Sequence, residues 1–254
     1  MKKKVMLNLM ETKRVNIHNL PQKYSYLQAW VYDYLIADRA LNLHSYILDH
    51  AKLANFLAKQ RECSVLDVGC GGGQSVIRLK ERYPHLRLTG IDLSAEQIAR
   101  ARQRSHRKGY KLQFEVADAQ TLPFPEASFD VVFSFGSAKH WPNPIKGIGE
   151  CWRVLKPGGE LLVADATSDT TKEEVINFYR ISQFPRLFEN LITAILYERL
   201  FRPACPMETY YQIAVQLEMP QGTVSHLPSL PVFLFRTQKP QLAGSQSSRE
   251  SSAT

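Results

Sequence analysis

Four glycines stand within five positions, at Gly69, Gly71, Gly72 and Gly73. They follow the apolar run Ser64–Val68, and an acid, Asp67, lies inside that run. A strand, a glycine-rich turn and a helix make a ligand site, because glycine frees the backbone and the helix start offers free N–H groups. A tight structural turn would rarely need so many glycines. A dinucleotide loop needs glycine at the sixth place of GxGxxG, and counted from Gly69 that place is Gln74. A triphosphate loop needs Gly-Lys-Ser/Thr, which does not follow. Asp67 would repel a pyrophosphate and attract a cation. The chemistry that remains is a nucleoside-bearing cofactor without phosphates and with positive charge.

Other residues able to do chemistry follow at regular intervals. Asp92 closes "LRLTGIDLS", Asp118 closes "KLQFEVADA", and His140 follows "FDVVFSFG". Four cysteines, Cys63, Cys70, Cys151 and Cys205, lack CxxC spacing, which argues against a zinc site or a disulfide framework and for a reducing, cytoplasmic setting. Cys70 reads as a small loop filler rather than a nucleophile. No cluster of His, Asp and Glu has metal-ligand spacing, so no metal is expected.

The elements that must position these groups alternate strictly. After a helical stretch from Tyr24 to about Lys59, "SVLDVG", "LRLTGIDLS", "KLQFEVADA", "FDVVFSFG" and "GELLVADAT" read as strands. Helices lie between them, with Ser94 as an N-cap and Gly109 as a stop. Such alternation predicts an α/β fold with a parallel sheet covered on both faces. Two last strands, "GTVSHLP" and "PVFLFRTQK", meet around Leu230-Pro231. Residues 1–22 read as a basic arm, 23–240 as one domain, 184–217 as a helical cap insert, and 241–254 as a polar, disordered tail. No run reaches membrane-spanning length, and the basic start "MKKKVMLNLM" is too interrupted for a secretory signal.

Five stretches resemble the class I S-adenosylmethionine-dependent methyltransferases. They are Val65–Gly73, Gly90-Ile91-Asp92-Leu93-Ser94, Ala117–Phe124, Phe129–Ser134 and Arg153–Gly159, in family order and spacing. The nearest branch is that of the small-molecule methyltransferases related to ubiquinone and menaquinone biosynthesis enzymes, where "AKHWPNP" is a familiar pattern. The resemblance implies a Rossmann-like seven-stranded, mostly parallel sheet with the last strand antiparallel and a helical cap. It also implies S-adenosyl-L-methionine as cofactor.

The resemblance implies roles for several residues. Asp92 would accept both ribose hydroxyls, its alternative being a helix cap beside Ser94. Asp118 would meet the adenine amino group and the Ala119 N–H the ring, the alternative being a solvated loop acid. Leu93 would pack on the adenine face or fill the core. Asp67, Gly69 and Gly71 would face the methionine end, and Ser134 the methyl group. Methyl transfer is an in-line displacement at an activated carbon, so the protein mainly aligns the partners. His140 is then either a base or a histidine packed beside Trp141, and Tyr32 closes the methionine end or is a core aromatic.

The expected acceptor is a small organic molecule, methylated at O, N or C, and the helical cap would suit a flat or apolar one. A net charge of +8 and the run "ARQRSHRKGYK" raise the alternative of an RNA substrate. No aromatic beyond Tyr110 is interleaved there, and the Asn/Asp-Pro-Pro-Tyr/Phe motif is missing, so a nucleic acid is disfavoured. The basic arm with an apolar cap would suit peripheral membrane contact and a lipid or quinone-like acceptor. A non-catalytic protein that binds the cofactor is the reading from another class.

Overall fold

The computed structural model describes residues 44–49, 53, 57, 62–183, 185–220 and 222–241. The arm 1–22, Tyr32 and residues 242–254 lie outside them. Seven strands form one sheet: β1 Ser64–Val68, β2 Arg87–Asp92, β3 Gln113–Val116, β4 Phe129–Phe135, β5 Leu155–Ala166, β6 Thr223–His226 and β7 Val232–Gln238. Their order is β3-β2-β1-β4-β5-β7-β6. The first five are parallel, and β7 is antiparallel to both β5 and β6. The last strand therefore inserts between two earlier ones and is antiparallel, as expected.

The middle strands are apolar on both sides because both are covered. Val65, Val131, Phe133, Leu162 and Leu234 pack beneath α1 Gln74–Arg82, α2 Ala95–Arg107 and α4 Lys172–Ile181. Leu66, Val132, Leu161, Val163 and Phe235 pack beneath α3 Pro144–Val154 and α6 Met207–Gln216. Burying each such side chain contributes about 1.5–3 kcal/mol. Local chemistry sets the helix starts. Ser94 Oγ accepts from Gln97 N–H, Asn143 from Lys146 N–H, and Thr171 with Glu174 forms a full capping box. Helix α6 starts where Asp169 Oδ2 accepts from Met207 N–H at 2.8 Å.

Two expectations need correction. Strand β3 ends at Val116, not Ala119: after Ala117 N–H bonds Asp92 O, Asp118 Oδ1 accepts from Gln120 N–H and turns the chain. Residues 184–217 are not one cap. Tyr210, Ile213 and Ala214 pack in the core against Phe233, so α6 covers the sheet. Helix α5 (Glu189–Leu196) and the turn before it carry the exposed apolar side chains Leu187, Phe188, Leu191 and Ile195.

Candidate functional site

Strands β1 to β4 end at one edge of the sheet, and the glycine loop crosses it. Gly69, Gly71 and Gly73 have φ of 81°, 51° and 78°, the left-handed region that side chains resist. Gly69 N–H and Cys70 N–H both donate to Ile91 O at 2.8 Å. Gly71 N–H donates to Asp92 Oδ2 at 2.9 Å, and Gly73 N–H to Cys70 O at 3.0 Å. The glycines do different work. A Cβ on Gly73 would sit 2.8 Å from the Ala101 Cβ, and one on Gly69 only 1.9 Å from Ser137 Oγ. A Cβ on Gly71 would meet nothing within 4 Å among the described residues, so the space above this residue is open to them beside Asp92.

Two carboxylates stand under that space. Asp92 accepts from Gly71 N–H through one oxygen and from Ser94 N–H, at 2.9 Å, through the other. Each oxygen keeps a lone pair for a ligand, and the helix is capped by Ser94 itself. Asp67 is 3% exposed. Burial pushes its pKa well above the carboxylate range, and the charge of Asp92 pushes it further. Burial also raises Asp92, against the two N–H bonds. Neither acid has a Lys, Arg or His partner among the described residues. Among the described residues the two acids thus have no countercharge, an arrangement that attracts a cation and repels an anion such as phosphate.

Beside Asp92 the surface turns apolar. Leu93 is 60% exposed and Val116, which pairs with Asp92 in the β2–β3 ladder, is 51% exposed. This excludes the core-filling alternative for Leu93. Asp118 holds the next turn through Gln120 N–H, with Ala119 buried behind it. Cys70 is buried, with its thiol pKa pushed far up by burial, so it is inert filler.

The end of β4 departs from expectation. Ser134 is fully buried and its Oγ has no hydrogen-bond partner among the described residues. Its side chain shares the face of Val132 by strand alternation, so it does not line the cleft. The edge is instead formed by Gly136 (φ 71°) and Ser137, whose Oγ lies against Gly69 and accepts from Trp141 Nε1–H at 3.3 Å. A buried ion pair clamps this loop. Lys139 Nζ donates to Asp165 Oδ1 at 2.8 Å and to Gly136 O at 2.7 Å, and Lys139 N–H donates to Asp165 Oδ2 at 2.9 Å. The only sequence signal for it was an acid inside the apolar run "LLVADA".

His140 sits on this clamped loop in a short 3-10 turn. Burial first, then the Lys139 charge, lowers its pKa to about 4 against an opposing pull from Asp165. A second histidine, His44, escaped the sequence reading. It bonds Ser75 Oγ at the start of α1, and its ring centre lies 5.3 Å from that of Phe135. Burial lowers it also to about 4. Both are neutral when folded and would take a proton when unfolded below their ordinary 6.5. The unfolded chain therefore binds more protons between pH 6.5 and about 4, and stability falls as the pH drops through that window. Urea unfolding should show a loss of about 1 kcal/mol per histidine near pH 5.5, and His140→Asn should remove its share.

The basic run on α2 is partly turned inward. Arg102 donates to Phe114 O through Nε (3.1 Å) and Nη2 (2.6 Å), and Arg104 Nη1 donates to Gly72 O at 2.8 Å. These two arginines hold the fold rather than present a surface to a polyanion.

Residues 66–163 match a family model described as a methyltransferase domain. A 27-O-demethylrifamycin SV methyltransferase from Amycolatopsis mediterranei is 39% identical over 116 residues, which are 45% of this chain and 42% of the relative. A demethylmenaquinone methyltransferase from Deinococcus radiodurans is 40% identical over 101 residues, 40% of this chain and 42% of the relative. The chain thus spans less than half the length of these relatives. Among solved structures, a SAM-dependent methyltransferase from Aquifex aeolicus aligns with a TM-score of 0.57 and 18% identity, over 85% of this chain and 99% of that one. Phosphoethanolamine N-methyltransferase 2 of Haemonchus contortus aligns with a TM-score of 0.62 and 18% identity, over 90% and 61%. These structures share the fold.

Proposed function

We propose, from the premise that residues 66–163 are a methyltransferase domain, that the chain transfers a methyl group from S-adenosyl-L-methionine to a small organic acceptor. The observation that carries this is the buried Asp67 beside the half-buried Asp92, neither with a Lys, Arg or His partner among the described residues, at the open face of Gly71. That combination suits a cofactor that carries a sulfonium and an ammonium and no phosphate. Bound S-adenosylmethionine supplies an activated methyl on sulfur.

The chain's own residues then bind, orient and exclude water. Asp92 accepts the ribose hydroxyls with its free lone pairs, held in place by the Gly71 and Ser94 N–H groups. Asp67 draws the cationic amino-acid end toward Gly69 and Gly71. Leu93 and Val116 give the adenine an apolar bed, with Asp118 and the Ala119 N–H at its edge. His140, neutral at physiological pH, orients the acceptor as a hydrogen-bond partner; at a pKa of about 4 it is too weak to be a strong base. An acceptor with an acidic O–H, such as a phenol or hydroquinone, fits that chemistry. The relatives named as a demethylmenaquinone methyltransferase and a 27-O-demethylrifamycin SV methyltransferase support a small organic acceptor.

Incubation with methyl-deuterated cofactor and a panel of phenols, hydroquinones and carboxylic acids tests this by mass spectrometry. A labelled product from one class is expected. Cofactor binding with no product from any class would overturn the enzymatic reading in favour of a binding protein.

A further inference from the structure

The glycine loop has three residues in the left-handed region, so its peptide planes are free to turn unless something holds them. Up to Gly71 the holder is β2: Ile91 O takes two N–H groups and Asp92 a third. The peptide between Gly72 and Gly73 is tied at both ends of its dipole. Its N–H donates to Cys70 O at 3.0 Å, and its carbonyl accepts from Arg104 Nη1 at 2.8 Å. Arg104 lies 32 residues away on α2, one turn beyond Ala101, which packs against Gly73 itself.

The geometry points to Arg104 as a positioning residue for the cofactor site, one that locks the glycine loop in its ligand-ready shape from beneath. The inference rests on the cofactor reading above. Arg104 acts through Gly72 O. A guanidinium is suited to this, since it stays charged at every physiological pH and makes a strong bond to a carbonyl. The lock also ties the helix that follows Asp92 to the loop that precedes α1, so the ribose end and the methionine end of the site are held in one frame. Without it, part of the binding energy is spent on ordering the loop, and affinity falls by the fraction of chains already in the right shape. Turnover at saturating cofactor is then little changed.

The test compares the full chain with its Arg104→Ala, Arg104→Lys and Arg102→Ala variants. Arg102 is the control, because it anchors the same helix to Phe114 O and not to the loop. Titration with S-adenosylhomocysteine should show a dissociation constant raised about tenfold in Arg104→Ala, the worth of one charged hydrogen bond, with partial recovery in Arg104→Lys. Arg102→Ala should bind within about twofold of the parent chain. The turnover rate at saturating cofactor should move by less than about twofold in Arg104→Ala, a split that a general loss of structure would not give. Amide hydrogen exchange without ligand should be about tenfold faster over residues 70–75 in Arg104→Ala, with the rest of the sheet protected as before. Unchanged exchange there overturns the lock whether or not the cofactor reading holds. Unchanged affinity in folded Arg104→Ala, or an equal loss in Arg102→Ala, also overturns it. Failure of the parent chain to bind would instead contradict the cofactor reading alone.

Discussion

Asp92→Ala is expected to raise the dissociation constant for S-adenosylhomocysteine at least about a hundredfold, while the protein stays folded. The carboxylate has three tasks in the structure: it accepts from Gly71 N–H, accepts from Ser94 N–H, and keeps lone pairs toward the open side. A charge-assisted, two-pronged contact to ribose hydroxyls is worth about 3 kcal/mol, which is about a hundredfold. Removing the acid also frees the Gly71 N–H, so the loop loses an anchor at the point where it faces the ligand. Stability itself should change little. Burial raises the Asp92 pKa, so its charge is carried at some cost to the fold, and that cost offsets the two lost bonds. Calorimetric titration beside a thermal melt checks both halves. Binding within about threefold of the parent chain would show that Asp92 does not hold the cofactor.

The second large effect is expected at Gly69. A methyl group there must be held at a φ of 81° and would lie 1.9 Å from Ser137 Oγ and 2.4 Å from its Cβ. Ser137 cannot give way freely, because its loop is fastened by the buried Lys139–Asp165 pair. Backbone strain and overpacking together cost about 3 kcal/mol. Gly69→Ala should therefore lower the melting temperature by roughly 10 °C. Gly71→Ala is the contrast. Its φ of 51° costs about 1 kcal/mol, but nothing lies within 4 Å of the new methyl, so the protein should melt within a few degrees of the parent. The methyl would then occupy the ligand's space, and affinity should fall by more than stability does. Equal melting behaviour of the two variants would contradict this division of labour between the glycines.

Much of this frame was legible in the sequence because it is local or periodic. Strand and helix alternation follows from two-sided burial; Asp67 announces itself by interrupting an apolar run, and Asp92 and the glycines by lying where one ends. Ser94 and Thr171 are visible as caps for the same reason. The misses share another cause. The bond from Arg104 to Gly72 and that from Lys139 to Asp165 join residues 32 and 26 apart, and no local pattern marks them. The contact of His44 with Ser75 spans 31. Ser134 was a different error: it was placed at the edge by its position near the end of β4, although alternation with Val132 puts its side chain inside. The cap was read as too long because Tyr210 and Ile213 carry a helical apolar spacing that suits a lid and a sheet-covering helix equally.

The proposed acceptor side is less local still. His140 is brought to the edge by a loop whose position depends on β5 through Asp165. The apolar residues of α5 are exposed, and their sequence spacing alone does not say what they cover. The proposed cofactor side, in contrast, is built from short runs at the ends of three strands, β1, β2 and β3, which is why its chemistry is legible in the sequence.

On the reading proposed above, the open space over Gly71, beside two acids with no Lys, Arg or His partner among the described residues, takes a cationic nucleoside cofactor. The most direct test is a calorimetric titration of the full chain at neutral pH with S-adenosylhomocysteine, S-adenosylmethionine and, separately, NAD. Saturable one-to-one binding of the first two in the micromolar range, with no heat from NAD, is the predicted result. No binding of either at millimolar ligand, or NAD binding as tightly as they do, would contradict it.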